Sequence, residues 1–473
     1  MNYSYTLAQV LIPTDTGYAC RDVHIADGTI TAIGENLPQI GQIVDGRNRL
    51  LLPGFVNAHT HSSEMWQRGL IAPLPLELWL AVLCDFGEIE PEHIYLSALG
   101  TAVETLLSGG TTVVDHLVPI PGREMESVEA AVRAYREVGI RAFIGPLLHD
   151  EPLPASIPLG SFDKSKRAEA DHYLSTVEAL ELAEAAIKTH HCPEDGIEIM
   201  VAPTGAQLST DSFLEGCVEL SDRHQVCRHS HLLESKAQKI LAQEKYGGSM
   251  VAHLHKLGFL GDRASFAHCV WLDDDDIALM AQTGSTVVHN PLSNLRLGSG
   301  IAPLLKYRQA GVNVTFGCDG AASNDGQDVL EAIKIGTLLH NTTDFEYRHW
   351  ITPREAVQMA SLGGAKGLGQ GDRRGSLAVG QEADLVLYDL TSLSMLPRTD
   401  PIGLLVMGRP TQAVHSAWVR GRRVIEKGSV TTVDVDALKA ELFARSDWLS
   451  TAEHASPTLA SLEPQYRQAM GLG

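Results

Sequence analysis

His59 and His61 close an apolar run, LLLPGFVNAHTH, and Glu64 follows three positions later. Alternate residues of an extended strand share a face and stand roughly 6–7 Å apart at Cα, so these two imidazoles point the same way. Imidazole nitrogens bind a divalent ion at about 2.0–2.1 Å, which lets such neighbours share one. Further along come HSHLLES with His229, His231 and Glu234, FAHCV with His268, VVHNP with His289 and Asn290, and GCDG with Asp319. Asp115 and His116 stand in TTVVDHL. Each group lies at the end of an apolar, strand-like stretch. One histidine in such a place is usually a hydrogen-bonded structural residue, whereas a set at successive strand ends reads as a converging site. Three nitrogens from His59, His61 and His231 with the Asp319 carboxylate make a divalent-metal site with room for a water, the mark of a catalytic metal. Glu234 falls just beyond the strand end, free to shuttle protons; the competing reading is a solvated carboxylate at a helix N-terminus.

The elements that must position these groups are eight apolar runs: 51–58, 111–117, 140–148, 197–203, 226–232, 264–270, 285–291 and 312–320. Stretches with helical spacing lie between them, among them 91–108, 126–138, 169–188 and 236–257. Eight strands alternating with helices, with polar residues at so many strand tips, predict an α/β fold of the (β/α)8 barrel type over 56–370, with an open doubly wound sheet as the alternative. Both chain ends have a different texture of short alternating segments punctuated by glycine, including a strong hairpin signal at Asp27-Gly28. They predict a small β-sandwich module built from 1–55 plus 371–432, followed by a C-terminal helix and polar tail over 433–473. The acidic run LDDDDI at 272–277 reads as a helix N-terminus rather than a metal site.

Composition narrows the function classes. Charged residues make up 20% and hydrophobic residues 44%, an ordinary soluble balance, and the net charge of −21 argues against nucleic acid or an anionic membrane as partner. Seven cysteines with no CxxC, together with an N-terminus lacking the pattern of a signal peptide, are expected of a cytoplasmic protein with reduced thiols. No apolar run reaches membrane-spanning length.

Taken in order, PGFVNAHTH, HSHLLES, FAHCVWL, VVHNPLSNLRLGSGIAPL and CDGAASND resemble the amidohydrolase superfamily. The resemblance runs from about residue 20 to 430. It is to the branch of S-adenosylhomocysteine/methylthioadenosine deaminases, guanine and 8-oxoguanine deaminases and s-triazine hydrolases. It implies metal binding by His59, His61, His231 and Asp319, proton shuttling by Glu234, and a water held by His268. His229 matches a position not counted as a ligand. Two-metal relatives carry a bridging lysine on the fourth strand, and IEIMVAPTG has none, so one divalent ion per subunit is expected: zinc, with iron(II) as the alternative. The implied reaction is hydrolytic deamination of a small amino-substituted N-heterocycle, Glu234 and Asp319 moving protons to ring and leaving amine. The implied assembly is a homodimer or higher homo-oligomer. Displacement of chloride or an alkylamine from a triazine is the alternative, and a catalytically silent metal-binding barrel is the non-enzymatic one. Thr204 stands where adenosine-type deaminases carry a histidine, with Gln207 shortly after, a pattern nearer the guanine and triazine relatives. Glu64 is placed to read a substrate edge, and Trp66 either stacks on a flat ring or packs the loop. Asn290 is a further candidate contact, with Asn294 and Asn324 behind it.

Overall fold

The computed structural model describes residues 3–85, 89–160, 173–446 and 456–472. The chain opens with β1 (Ser4–Thr14), β2 (Gly17–Ala26), β3 (Thr29–Gly34), β4 (Gln42–Asp45) and β5 (Arg49–Pro53). β2 and β3 pair across Asp27 and Gly28, whose φ values of 49° and 78° are those of a tight hairpin turn. The run 51–58, read from sequence as one strand, is two. Gly54 breaks it, and a Cβ there would lie 2.1 Å from the Thr111 hydroxyl oxygen. β5 stays with the terminal sheet, and β6 begins the barrel.

The barrel strands are β6 (Phe55–Thr60), β7 (Gly110–Leu117), β8 (Arg141–Pro146), β9 (Ile197–Ile199), β10 (Arg228–Leu232), β11 (Ala264–His268), β12 (Thr286–His289) and β13 (Asn313–Phe316). β6 to β9 pair in parallel as one group and β10 to β13 as another. Parallel bridges from Val201 to Arg228 and from Gly205 to His231 join the groups at one seam. At the other, the Asp319 N–H donates to the His59 carbonyl at 2.8 Å and the Cys318 N–H to Asn57 Oδ1 at 2.9 Å. Val56, Ala58, Val114, Phe143, Met200 and Val288 fill the interior, so this (β/α)8 barrel is packed below and leaves its chemistry to the C-terminal rim. The helices between the strands bury one face on the barrel's outer surface. The acidic run supplies a cap: Asp273 accepts the Asp276 N–H and Asp276 returns the bond, opening the helix Asp274–Thr283. Of the stretch 169–188, the structure shows the helix Thr176–His190; residues 169–172 lie outside the described residues.

The chain then returns through β14 (Leu385–Asp389), β15 (Val414–Val419), β16 (Arg422–Glu426) and β17 (Ser429–Val430). These join β1–β5 in a nine-stranded sheet ordered β17-β16-β15-β14-β5-β1-β2-β3, with β4 on β1. The β2–β3 turn reaches the segment entering β14, the Ala383 N–H donating to Gly28 O at 2.8 Å, and Leu7, Val23, Ile25, Leu51, Leu385 and Trp418 form the module's buried cluster. Buried ion pairs from Arg141, at the start of β8, to Glu382 and Asp384 tie this module to the barrel. The C-terminal region is more than one helix and a polar tail. After Val435–Arg445, a second helix, Pro457–Ala469, seats Leu462 and Tyr466 against Leu78, Ala81, Ile157 and Ala237. Residues 447–455 of that region lie outside the described residues. No helix among the described residues is long and apolar enough to cross a membrane.

Candidate active site

Strand direction brings His59, His61, His231, His268 and Asp319 together at the C-terminal rim. The ring centroids of His59 lie 4.8 Å from His61 and 4.9 Å from His231, and all three rings are buried or nearly so. Each imidazole has one nitrogen already committed. His61 Nδ1–H donates to the His116 carbonyl at 2.6 Å, and His231 Nδ1–H to the Thr204 carbonyl at 2.6 Å. His59 Nδ1 is 2.7 Å from His229 Nε2, and His229 Nδ1 is 2.7 Å from Ser265 Oγ. These bonds turn every Nε2 inward. His61 and His231 Nε2 stand 3.2 Å apart, and Asp319 Oδ1 lies 3.3 Å from His59 Nε2 and 3.4 Å from His61 Nε2.

His59 Nε2 is fully buried and has no hydrogen-bond partner among the described residues. A buried lone pair facing two more imidazoles and a carboxylate is unfavourable unless a cation satisfies it. Ligand atoms of His59, His61 and His231, and of His59, His268 and Asp319, lie within 4.8 Å of one another. The protonation states match as well. Burial pushes His59 well below its ordinary pKa and His231 down to about 3, leaving both neutral. Burial opposes the charge on Asp319, but His268 and His59 hold that carboxyl well below its usual range. His61 is the exception: burial lowers it, yet Glu64 and Asp319 raise it above its ordinary value. An ion binding here would displace any proton on His61 Nε2; with His59 and His231 neutral and Asp319 ionised, the donor set fits a divalent ion.

The rim is held by left-handed backbone at Leu233, His268 and Asp319, with φ of 45°, 72° and 68°. Non-glycine residues in that region are uncommon and cluster where side chains must be aimed. Gln327 fixes the last of them. Its Nε2 donates to the Asp319 carbonyl at 2.7 Å, while its Oε1 accepts from Asn57 and Thr60 at 2.9 Å each. Asp115 anchors the loop after β6 by accepting from Ser62 N–H, Ser62 Oγ and Tyr135 OH. His229 acts on His59 through Nδ1. Replacing His229 by Ala is expected to weaken metal retention about 10- to 100-fold, the usual cost of losing such an outer partner. Competition with a metal-sensitive chelator would measure it.

Glu234 is buried across the cluster. Its Oε2 lies 3.4 Å from His268 Nε2, and its Oε1 lies 3.4 Å from Ser299 Oγ. Its own N–H donates to Gln238 Oε1 at 2.8 Å. Burial, then the charges of Asp319 and Glu77, push its carboxyl well above the usual range. His268 Nδ1–H donates to Asn294 Oδ1 at 2.9 Å, which turns Nε2 toward Glu234 and toward Asp319 Oδ2, 3.6 Å away.

Other residues singled out in the sequence are distributed differently. Glu64 is buried beside the Asp319 loop, with Oε2 accepting the Ala322 N–H at 3.4 Å, and a Cβ on Gly320 would lie 1.8 Å from that oxygen. Burial and Asp319 raise its carboxyl to about 7 against the opposing pull of His61. Of the two readings of Trp66, the contacts favour loop packing: its indole N–H donates to the His93 carbonyl at 3.0 Å and its ring meets His93 edge-on, on the helix Pro91–Leu107. The Asn290 amide lies 3.5 Å from His268 Nδ1, on the side of the ring away from Nε2, and a Cβ on Gly317 would lie 2.5 Å from its Oδ1. His289 leaves the cluster and pairs with His340, Nε2 to Nε2 at 3.1 Å. Thr204 supplies the carbonyl for His231, and Gln207 is buried in the same loop with Oε1 unpartnered. A cavity of about 640 Å³ at the opposite end of the strands, lined by Phe143, Glu198, Cys227 and Lys366, holds none of these ligands.

The amidohydrolase family profile matches residues 50–424. The chain belongs to the amidohydrolase family. Among curated relatives, this amidohydrolase is 34% identical over 423 residues to a 5-methylthioadenosine/S-adenosylhomocysteine deaminase of Syntrophobacter fumaroxidans, covering 88% of this chain and 90% of that one. It is 31% identical over 439 residues to a 5'-deoxyadenosine deaminase of Methanosarcina barkeri, covering 92% and 94%. Among solved structures, a zinc-bound adenosine deaminase of Xanthomonas campestris superposes with TM-score 0.84 at 26% identity, covering 95% and 99%. A zinc complex of atrazine chlorohydrolase from Arthrobacter aurescens superposes with TM-score 0.82 at 25% identity, covering 93% and 99%. Thr204 pointed to the guanine and triazine side, whereas both curated relatives carry names on the adenosine side.

Proposed function

We propose that this amidohydrolase hydrolytically deaminates an aminopurine nucleoside of the adenosine type, working as a cytoplasmic homodimer with one zinc ion per chain held by His59, His61, His231 and Asp319. The observation that carries the reading is the buried Glu234 carboxyl, its Oε2 3.4 Å from His268 Nε2, set beside the converging ligand atoms of His59, His61, His231 and Asp319. The names of the curated relatives support the nucleoside, and the zinc-bound neighbour supports the metal. A divalent ion in this site supplies Lewis acidity and lowers the pKa of a water toward neutrality.

The protein's own groups do the rest. With its Nδ1 proton spent on Asn294, His268 presents a lone pair at Nε2, which accepts an O–H of the attacking water and orients it. Glu234 accepts a proton from that water and passes it to the ring nitrogen beside the amino-bearing carbon. Burial raises its carboxyl, which favours the protonated form it must take up between the two transfers. Asp319 takes the second proton of the attacking oxygen and delivers it to the departing amine, so that water and the aminopurine become an oxopurine and ammonia. Glu64, on the far side of Asp319, faces the ring edge.

A second reading, hydrolytic displacement of chloride or an alkylamine from a triazine, draws on the same fold in the atrazine chlorohydrolase. Side-by-side incubations with adenosine-type nucleosides, aminated purine bases and chloro- or alkylamino-triazines separate the two. Ammonia from the nucleosides is expected; chloride or alkylamine release without ammonia would favour the second.

A further inference from the structure

His149 stands just beyond β8, half-buried, and takes no part in the cluster. Its Nδ1 lies 3.3 Å from Thr204 Oγ1. That hydroxyl donates its own proton to the Leu148 carbonyl at 3.1 Å. A hydroxyl has one proton to give, so toward His149 it can only accept, and the imidazole proton must sit on Nδ1. The ring is neutral, because burial lowers its pKa against the opposing charge of Asp150. Asp150 itself is engaged by Thr176 and Thr210. Nε2 is therefore left as a lone pair with no partner among the described residues. Thr204 also supplies the carbonyl that orients His231, so this acceptor is one residue removed from a proposed metal ligand. Gln207 Oε1, in the loop that follows Thr204, is a second acceptor, buried and without a partner among the described residues.

From this proton inventory we infer that His149 Nε2 binds the substrate by accepting a hydrogen bond from a hydroxyl of its sugar. The inference rests on the nucleoside reading above and assigns the residue that recognises the part of the substrate that does not react. An acceptor at that place favours a substituent bearing a hydroxyl over a bare ring and rejects one with an acceptor there.

Steady-state deamination of 5'-deoxyadenosine, 2',5'-dideoxyadenosine and 3',5'-dideoxyadenosine by the wild type and His149→Phe tests it. In the wild type, loss of one of the two hydroxyls is expected to raise KM about tenfold with kcat within about twofold, the size of one neutral hydrogen bond. In His149→Phe the KM for 5'-deoxyadenosine rises to that level, and the three nucleosides become equal. Thr204→Val, which removes the acceptor fixing the Nδ1 proton, shifts KM in the same direction by a smaller factor. Unchanged metal content in both variants shows that the site is intact. A His149→Phe protein that still discriminates the hydroxyl as the wild type does would overturn the assignment and leave the deaminase reading standing. A wild type that discriminates none of the three overturns it as well, and one that deaminates none of them sinks both.

Discussion

Glu234→Gln is expected to lower kcat by about 10³-fold or more while the protein keeps its metal. Proton transfer by a positioned side chain is typically worth 10²–10⁴-fold, and this carboxyl would act twice, on the attacking water and on the ring. Glutamine has nearly the same shape. It preserves the contact with Ser299 and the backbone bond to Gln238, so folding and the ligand set should be unaffected. Metal analysis alongside the rate measurement makes the result specific. A variant with a tenth or more of the wild-type kcat would remove Glu234 from the chemistry, and one that has lost its metal would make it a ligand.

Asp319→Ala is the second large effect. This carboxylate approaches His59 and His61 through Oδ1 and His268 through Oδ2, so on the proposed mechanism its removal takes away a ligand and a proton carrier together. Metal bound after gel filtration is expected to fall from about one ion per chain to near zero, and activity by at least about 10³-fold even in excess metal. The left-handed backbone at 319 is held by Gln327 and Thr60 through the main chain, so the barrel should still fold. Full metal occupancy in Asp319→Ala would reduce the site to its three histidines. Two tightly held ions in the wild type would contradict the single-ion assignment.

Much of this site was legible in the sequence because strand ends of a (β/α)8 barrel converge by topology. His59, His61, His231, His268 and Asp319 needed only the strands located to be placed on one rim, and the period of two set both members of HTH on one face. The limits came from contacts that no local pattern announces. The carbonyls of His116 and Thr204 orient two imidazoles, and a backbone oxygen has no residue type to mark it. Gln327 links Asn57, Thr60 and Asp319 across more than 250 positions. The direction of Trp66 and Asn290 was not legible for a related reason: the turn after a strand sets side-chain direction, and only the fold shows Trp66 against His93 and Asn290 beside His268. His289 ends its strand as His268 does, yet packs against His340 because the backbone at 268 is left-handed and redirects the ring. At the module, Gly54 split one apolar run between two sheets, a break visible only once Thr111 is in place. The terminal sheet draws strands from both chain ends, and the pairing of β14 with β5 that joins them has no local signal in the sequence.

The measurement that bears most directly on the account is the stoichiometry of deamination by metal-loaded protein. Incubated with 5'-deoxyadenosine, it should yield one ammonia for each purine ring converted from amino to oxo, with activity lost on chelation and restored by zinc. Loss of substrate without ammonia, undiminished conversion after the metal has been stripped, or no conversion of any adenosine-type nucleoside by the zinc-loaded protein would contradict it.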